Sequence, residues 1–204
     1  MRLQRTVVVL ALLTLPASPL RAQPAGGYVF GAGGVASLSD DEGRLGSGPL
    51  LAVGAGVSLM PHLGVEVAGT WARHERSGSL SWVGKPLTLT VRALYRSGGR
   101  ETPVRFVAGG GFGYFRYPGT FSQTVFDGPP GPGSGPGAPR RVSSEWLLSG
   151  IALELVAGLE IAVGRHVFVR PEAGLAAASP DRVLPAPEPP YSMPRGAIAA
   201  GVRF

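Results

Sequence analysis

One short stretch of the sequence combines residue types that could act in nucleophilic catalysis. His74, Glu75 and Ser77 lie in "WARHERSGS", where a histidine could serve as the general base for a nearby hydroxyl. His62 and His166 stand in short connecting segments, so His74 is the sole candidate of this kind. Because a histidine in a polar loop is far more often solvated than catalytic, we predict that the protein is not an enzyme. A catalytic centre near His74 is kept as an alternative.

Two other kinds of motif could bind ligands. The acidic run Asp40–Glu42 offers oxygen atoms to a cation but lacks the spaced ligands of a calcium loop. The glycine-rich stretches "GAGG" at 31–34 and "AGGGFGYF" at 108–115 are not followed by a helical pattern, whereas a phosphate loop needs a helix N-terminus aimed at the phosphate. We therefore predict no metal and no cofactor, and we interpret these glycines as strand residues.

Charged residues recur on one side of otherwise apolar or small-residue segments. Four arginines and four glutamates share this placement: Glu66, Arg92, Arg105, Glu154, Glu160, Arg170, Glu172 and Arg203. Such a balance is unnecessary on a wet surface but valuable in a confined interior, where an unpaired charge costs several kcal/mol. The pattern predicts that these residues form ion pairs inside the fold.

The segments that must position these charges alternate with a period of two residues, as strands do, and not with the helical period of 3.6. Leu87, Leu89 and Val91, for example, alternate with Thr88 and Thr90. Eight such segments follow one another, the first near Tyr28–Leu38 and the last near Arg195–Phe204. The sequence thus predicts an all-β domain.

The connections between these segments alternate in length. Short ones occupy 60–62, 97–103 and 163–166, and long ones occupy 39–48, 74–85, 117–145 and 179–193. An antiparallel up-and-down meander, with tight turns at one end and long loops at the other, produces this alternation. Within the third long connection, "DGPPGPGSGPGAPRR" at 127–141 has the composition of a flexible loop.

The N-terminus reads as a signal peptide over residues 1–23, with the cut between 22 and 25, which leaves 24–204 as a single domain. Arg2 and Arg5 precede an apolar run, Val7–Leu15, that is shorter than the roughly 20 residues of a membrane-spanning helix. Since the chain has no cysteine, the exported domain has neither disulfides nor a thiol-linked lipid. Export then leads to the periplasm, the outer membrane or the medium.

The net charge of +6 does not indicate a nucleic-acid partner. Three of the 19 basic residues, Arg2, Arg5 and Arg21, lie in the leader, which leaves 16 basic against 13 acidic residues in the mature chain. No basic cluster interleaved with aromatic residues follows. With 44% hydrophobic and only 16% charged residues, the chain is too apolar to be disordered in spite of its 32 glycines and 20 prolines.

The two faces of the strands indicate which side meets lipid. One face is almost continuously apolar, and the other carries glycine, alanine, hydroxyl residues and the mid-strand charges. Small residues suit the inside of a narrow barrel, and about ten residues per tilted strand cross a hydrocarbon band about 25 Å tall. The apolar face is therefore predicted to face lipid. We expect an aromatic girdle near the strand ends, formed by Tyr28, Phe30, Trp71, Tyr95, Phe112, Tyr114 and Phe204.

The leader, the strand-turn-strand stretches "GVSLMPHLGVEVAG" and "GLEIAVGRHVFVRPEAG", and the terminal "AAGVRF" resemble the small eight-stranded outer-membrane barrels of Gram-negative bacteria, the OmpA-transmembrane-domain and OmpX-like families. The resemblance implies an eight-stranded antiparallel barrel with long external loops and short periplasmic turns. It also implies that Phe204 belongs to a C-terminal signal read by the barrel-assembly machinery. The His-x-Ser arrangement of deacylase-like barrels is absent.

The function expected from these features is a structural or surface-interaction role in the outer membrane, as a monomer in contact with lipid, with an unknown partner for the external loops. The charged pairs are expected to fill the narrow interior. Three alternatives stay open at this point: a lipid-modifying enzyme centred near His74, a pore of small conductance, and a soluble lipocalin-like binder of apolar ligands.

Overall fold

In the computed structural model, the described residues are 26–40, 43–76, 80–98, 102–126, 139–180 and 191–204. Within them the chain forms strands β1 (Gly27–Asp40), β2 (Gly43–Ser58), β3 (Leu63–Ala72), β4 (His74–Arg76), β5 (Leu80–Gly84), β6 (Leu87–Arg96), β7 (Val104–Phe126), β8 (Pro139–Val163), β9 (Val167–Pro180) and β10 (Tyr191–Arg203). No helix in these ranges has the length and apolar character needed to cross a membrane.

The strands close into a ring of eight positions. β4 continues β3 along β2, and β5 continues β6 along β7, so each of these pairs occupies one position in the ring. Every pairing is antiparallel between neighbours in the ring, and β1 pairs with both β2 and β10, with Tyr28 opposite Arg203. The predicted eight-stranded antiparallel up-and-down barrel is therefore confirmed.

The apolar side of the strands lies on the outside of the ring. Leu51, Leu89 and Ile198 are exposed on the outer face, whereas Thr90 and Arg92 are buried inside. Along β3, β6 and β10, residues with buried and more exposed side chains alternate nearly one by one, as the pleat requires. A lipocalin-like barrel would place the apolar face inside, so that alternative is wrong.

Two of the predicted girdle aromatics face the interior instead. Tyr28 and Phe30 are only 4% and 6% exposed. The reason lies on β2, where a Cβ on Gly54 would lie 2.5 Å from the Phe30 ring and one on Gly56 would overlap Tyr28. These glycines make room for large rings inside the barrel. The remaining predicted girdle residues are exposed on the outside: Trp71, Tyr95, Phe112, Tyr114 and Phe204.

The strands also run further than the sequence predicts at the end with long connections. The first predicted loop, 39–48, is wrong because only residues 41–42 separate β1 from β2. The second predicted loop, 74–85, contains the strands β4 and β5. In the third, Thr124–Phe126 pair with Pro139–Arg141, so the last three residues of the predicted flexible segment 127–141 are strand. Beyond the apolar band an outward polar side chain meets water, so polar composition does not end an antiparallel strand. Residues 127–138 lie outside the described residues.

The opposite end, here called the turn end, has the short connections that the sequence predicts. They are 59–62, 97–103 and 164–166, and both Gly27 and Arg203 lie at this end. Gly164 has a φ of +79°, in the left-handed region that favours glycine. The other end of the barrel is called the outer end.

Gly113 on β7 is a position where two backbones approach closely. A Cβ there would overlap the carbonyl oxygen of Leu89 and lie 2.6 Å from the Thr90 Cα on β6. Neither group can move without shifting the strand, so this glycine permits the close β6–β7 contact.

We expect Gly113→Ala to lower the free energy of unfolding by about 1–3 kcal/mol, because the added methyl group overpacks against backbone. Gly33→Ala is the matched control, since nothing lies within 4 Å of its Cβ position. Urea titration in lipid vesicles measures both. Equal unfolding midpoints for the two variants would contradict the close approach.

Candidate functional site

The inner face of the barrel brings together all eight charged residues singled out in the sequence. Two further arginines join them, Arg96 at the end of β6 and Arg195 on β10, both buried. The described ion pairs of the interior thus involve six arginines and four glutamates, arranged in two clusters.

The first group, called the central cluster, contains Glu66, Glu154, Glu172, Arg92, Arg170 and Arg195. Glu66 accepts hydrogen bonds from Arg92 Nε at 2.6 Å and Arg170 Nη1 at 3.0 Å.

Glu154 accepts hydrogen bonds from two arginines of the central cluster and from one neighbouring threonine. It accepts from Arg92 Nη1 at 2.9 Å, from the Thr90 hydroxyl at 2.5 Å and from Arg195. Glu172 accepts from Arg170 Nε at 2.9 Å. Three carboxylates thus face three guanidinium groups, and the central cluster is neutral.

The second group, called the turn-end cluster, has a different composition. Its single carboxylate, Glu160, pairs with Arg105 across the β7–β8 register, with Arg203 Nη2 at 2.9 Å and with Arg96 Nε at 3.5 Å. Three guanidinium groups share one carboxylate, so the described side chains of this cluster carry a net charge of +2.

Tyr28 connects the two clusters. Its hydroxyl donates to Glu66 Oε2 at 2.8 Å and accepts from Arg96 Nη2 at 2.7 Å. The Arg96 guanidinium also lies 5.0 Å from the Tyr28 ring centroid, and that of Arg170 lies 4.9 Å from the Phe30 ring. These distances suit cation–π contacts, so the inward rings of β1 complete the surroundings of the arginines.

A third layer, called the outer aromatic cluster, lies nearer the outer end and consists of Trp82, Phe115, Tyr117, Trp146 and Tyr191. The Trp82 and Tyr117 rings lie 4.7 and 4.6 Å from the Trp146 ring, and Trp82 Nε1 donates to the Tyr117 hydroxyl at 3.0 Å. The sequence does not predict this cluster, because Trp82, Tyr117 and Tyr191 lie in segments predicted to be long connections, 74–85, 117–145 and 179–193. The spacing of the residues could have indicated it, since Phe115 and Tyr117 follow Gly111 and Gly113 at intervals of two residues and therefore lie on the same, inward face of the strand.

The structure places His74 on the inner side of β4 with an exposure of 0%. Neither ring nitrogen has a hydrogen-bond partner among the described residues. Burial lowers the pKa of His74, because the charged imidazolium would lose its hydration. The predicted loop position is wrong, and a buried imidazole presents no base to a substrate. Ser77, Asp41 and Glu42 lie outside the described residues.

Because its pKa is lowered by burial, neutral His74 should make stability depend on pH. The unfolded chain takes up a proton near pH 6.5, whereas the folded chain does so only at lower pH. The contribution of neutral His74 to the free energy of unfolding is therefore complete above pH 6.5 and is lost as the pH falls below that value. We expect the urea midpoint of the wild type to fall between pH 7.5 and 5, and His74→Leu to flatten that change. Parallel pH curves for the two proteins would contradict this prediction.

The side chains that could bind a metal ion are spread apart in the described part of the chain. Among the described residues, no three histidine, aspartate or glutamate side chains are grouped as a metal ion would require.

Comparison with solved structures finds barrels of the same fold. Neisserial surface protein A has a TM-score of 0.63 and 18% identity, covering 87% of this chain and 97% of that one. Ail, the attachment invasion locus protein of Yersinia pestis, solved with the heparin analogue sucrose octasulfate, has a TM-score of 0.56 and 13% identity, covering 89% and 100%. A major outer membrane protein from Thermus thermophilus has a TM-score of 0.53 and 18% identity, covering 88% and 100%.

A search among curated proteins finds no sequence match. The family model of the outer membrane protein beta-barrel domain, however, matches residues 7–181, which is most of the chain. This family implies the outer membrane of a Gram-negative bacterium as the location of the protein. The chain belongs to the outer membrane protein beta-barrel domain family.

Proposed function

We propose that the protein is a sealed, monomeric outer-membrane barrel whose outer end interacts with other molecules at the cell surface. Export would use the leader at 1–23, and the exposed Phe204 at the end of β10 would be read by the barrel-assembly machinery.

The layers of inner-face side chains support a sealed interior. The outer aromatic cluster, the central cluster and the turn-end cluster follow one another along the lumen, and the ion-paired residues Arg92, Arg170 and Glu66 are almost completely buried. In a barrel of eight strands the interior is just wide enough for side chains to fill. A wide pore does not fit this arrangement.

The observation that carries the surface role is the hairpin of β7 and β8 beyond the aromatic girdle. Residues 123–125 and 140–145 are exposed on both faces of the ladder, although they are paired strand. This part of the ladder, which is two-stranded beyond Gln123 and has both faces in water, offers backbone and polar side chains to a partner. Among barrels of this fold, one is named as a surface protein and another as an attachment invasion locus protein, so the fold serves this kind of role.

The test removes the projection and keeps the barrel. Residues 124–141 are replaced by an Asn-Gly turn, which suits a tight hairpin between Gln123 and Val142, a register pair of β7 and β8, and leaves the pairing of β5 with β7 intact. Cells producing the intact or the trimmed protein are compared for adhesion to immobilised heparin and to epithelial layers. Heat-modifiable migration on detergent gels serves as the folding control. We expect adhesion only with the intact hairpin; equal adhesion would refute the surface role.

The sealed interior is tested separately in planar lipid bilayers. We expect the folded protein to show no large conductance steps. Steady steps of porin size would overturn the proposal of a filled lumen.

A further inference from the structure

The two charged clusters of the interior differ in one respect that bears on ligand binding. The central cluster has equal numbers of arginines and glutamates, whereas the turn-end cluster sets Arg96, Arg105 and Arg203 against Glu160 alone. Among the described residues no second acidic side chain pairs with these three arginines. Unpaired charge in a partly enclosed space is unfavourable, so the excess of two positive charges favours binding of an anion beside these arginines.

The hydrogen-bonding groups show the same excess. Each guanidinium carries five N–H donors, and a carboxylate offers about four acceptor positions. Glu160 therefore cannot satisfy three guanidinium groups, and Tyr28 accepts one further bond from Arg96. The remaining N–H groups of these three arginines can donate to a further acceptor beside Glu160.

Space for that acceptor exists beside the arginines. A cavity of about 760 Å³ lies at the turn end, and Arg96, Arg105, Arg203 and Glu160 all line it. Ser58 and His166 lie on the same wall and supply further polar groups. Arg96 and Arg105 are buried and the Arg203 side chain is 18% exposed, so the donors are held at the inner wall while the cavity reaches the rim at 164–166.

We propose that this cavity binds a small, doubly charged oxyanion of the phosphate type, taken from the aqueous phase at the turn end. Planar guanidinium groups match the oxygens of such an anion in a bidentate manner, and a dianion neutralises the charge excess of the cluster. The three arginines that would hold the anion lie on the inner face of the barrel, away from the lipid-facing side, so we assign the site to a free anion and not to a lipid headgroup. The inference does not depend on the proposed interaction at the outer end.

The test measures unfolding of the whole barrel in a non-ionic detergent that contains no phosphate. Urea midpoints are recorded over a range of inorganic phosphate concentrations, with chloride at the same ionic strength as the reference. A ligand that binds only the folded state raises the midpoint as its concentration passes the dissociation constant. We expect phosphate to raise the midpoint of the wild type above that in chloride. Equal midpoints in the two salts would overturn the site.

Variants separate specific binding from a general salt effect. Arg105→Gln is expected to weaken phosphate binding at least tenfold, and Arg203→Gln provides a second variant with the same expectation. Arg73→Gln at the outer end, which removes an exposed pair with Glu75, should retain the wild-type response. In chloride alone, Arg105→Gln should unfold at the same or a higher urea concentration than the wild type, because it relieves the excess charge. Undiminished phosphate response in both Arg105→Gln and Arg203→Gln would also refute the proposal.

Discussion

Replacing Arg170 by leucine is expected to lower the free energy of unfolding by about 3–5 kcal/mol, the usual effect of leaving a buried charge without its partner. Arg170 donates to Glu66 at 3.0 Å and to Glu172 at 2.9 Å inside the central cluster. Its loss leaves three carboxylates with two guanidinium groups in a space that is closed to water. Urea titration in lipid vesicles measures the change, and an unchanged midpoint would show that the cluster does not hold its charges in a dry interior.

Two further variants make this result specific. Glu172→Leu in the Arg170→Leu background restores the charge balance, and it should recover more than half of the lost stability. Arg73→Leu removes an exposed arginine whose partner Glu75 is also exposed. Surface pairs contribute about 0–1 kcal/mol, so this control should differ little from the wild type. If the double variant were less stable than Arg170→Leu, local packing and not charge would be the cause.

Trp146→Ala should also cost about 3–5 kcal/mol, since it removes a buried indole from a packed interior cluster. Trp146 lies between Trp82 and Tyr117 and covers Gly119, where a Cβ would overlap its indole. The cavity left behind cannot be filled by neighbours that are themselves held in strands. The same urea titration measures the loss.

Phenylalanine variants of the two tryptophans provide matched controls. The Trp146 indole nitrogen has no hydrogen-bond partner among the described residues, so Trp146→Phe should cost less than about 1.5 kcal/mol. The Trp82 nitrogen donates to the Tyr117 hydroxyl, so Trp82→Phe should lose a hydrogen bond worth about 1 kcal/mol in addition. A loss at Trp146→Phe as large as at Trp146→Ala would contradict the packing role of the ring.

The parts of the fold that the sequence predicts well are those where one face meets lipid. Along β6 and β10, a shift of one residue would turn Arg92 or Arg203 outward, so a period of two determines which side chains lie inside. β1 is different, because Val29 outside alternates with Tyr28 and Phe30 inside, and both sets are apolar. Only the opposing Gly54 and Gly56 of β2 decide the direction of these rings, and that depends on strand pairing.

Some of the ion pairs can be predicted from the sequence, whereas others depend on how the barrel closes. Glu66 with Arg92 and Arg105 with Glu160 are register partners on neighbouring strands, so hairpin order and parity bring them together. Arg195 with Glu154 is a contact between strands that are not neighbours, and it depends on the stagger of the closed ring. Arg96 lies at a strand end, and the charge balance in the sequence omitted it together with Arg195. For this reason the sequence predicted a neutral interior where the turn-end cluster carries a net charge.

The contact of Glu66 with Arg170 joins residues 104 positions apart across the lumen. β3 and β9 are four positions apart in the ring, so they face each other only when the sheet has curled into a barrel. A sheet that stops short of closure therefore carries unmatched charges on its inner side, and hydrocarbon strongly disfavours them. Closure of the barrel therefore completes the ion pairs that link strands across the lumen, and the buried charges favour the closed ring over an open sheet in lipid.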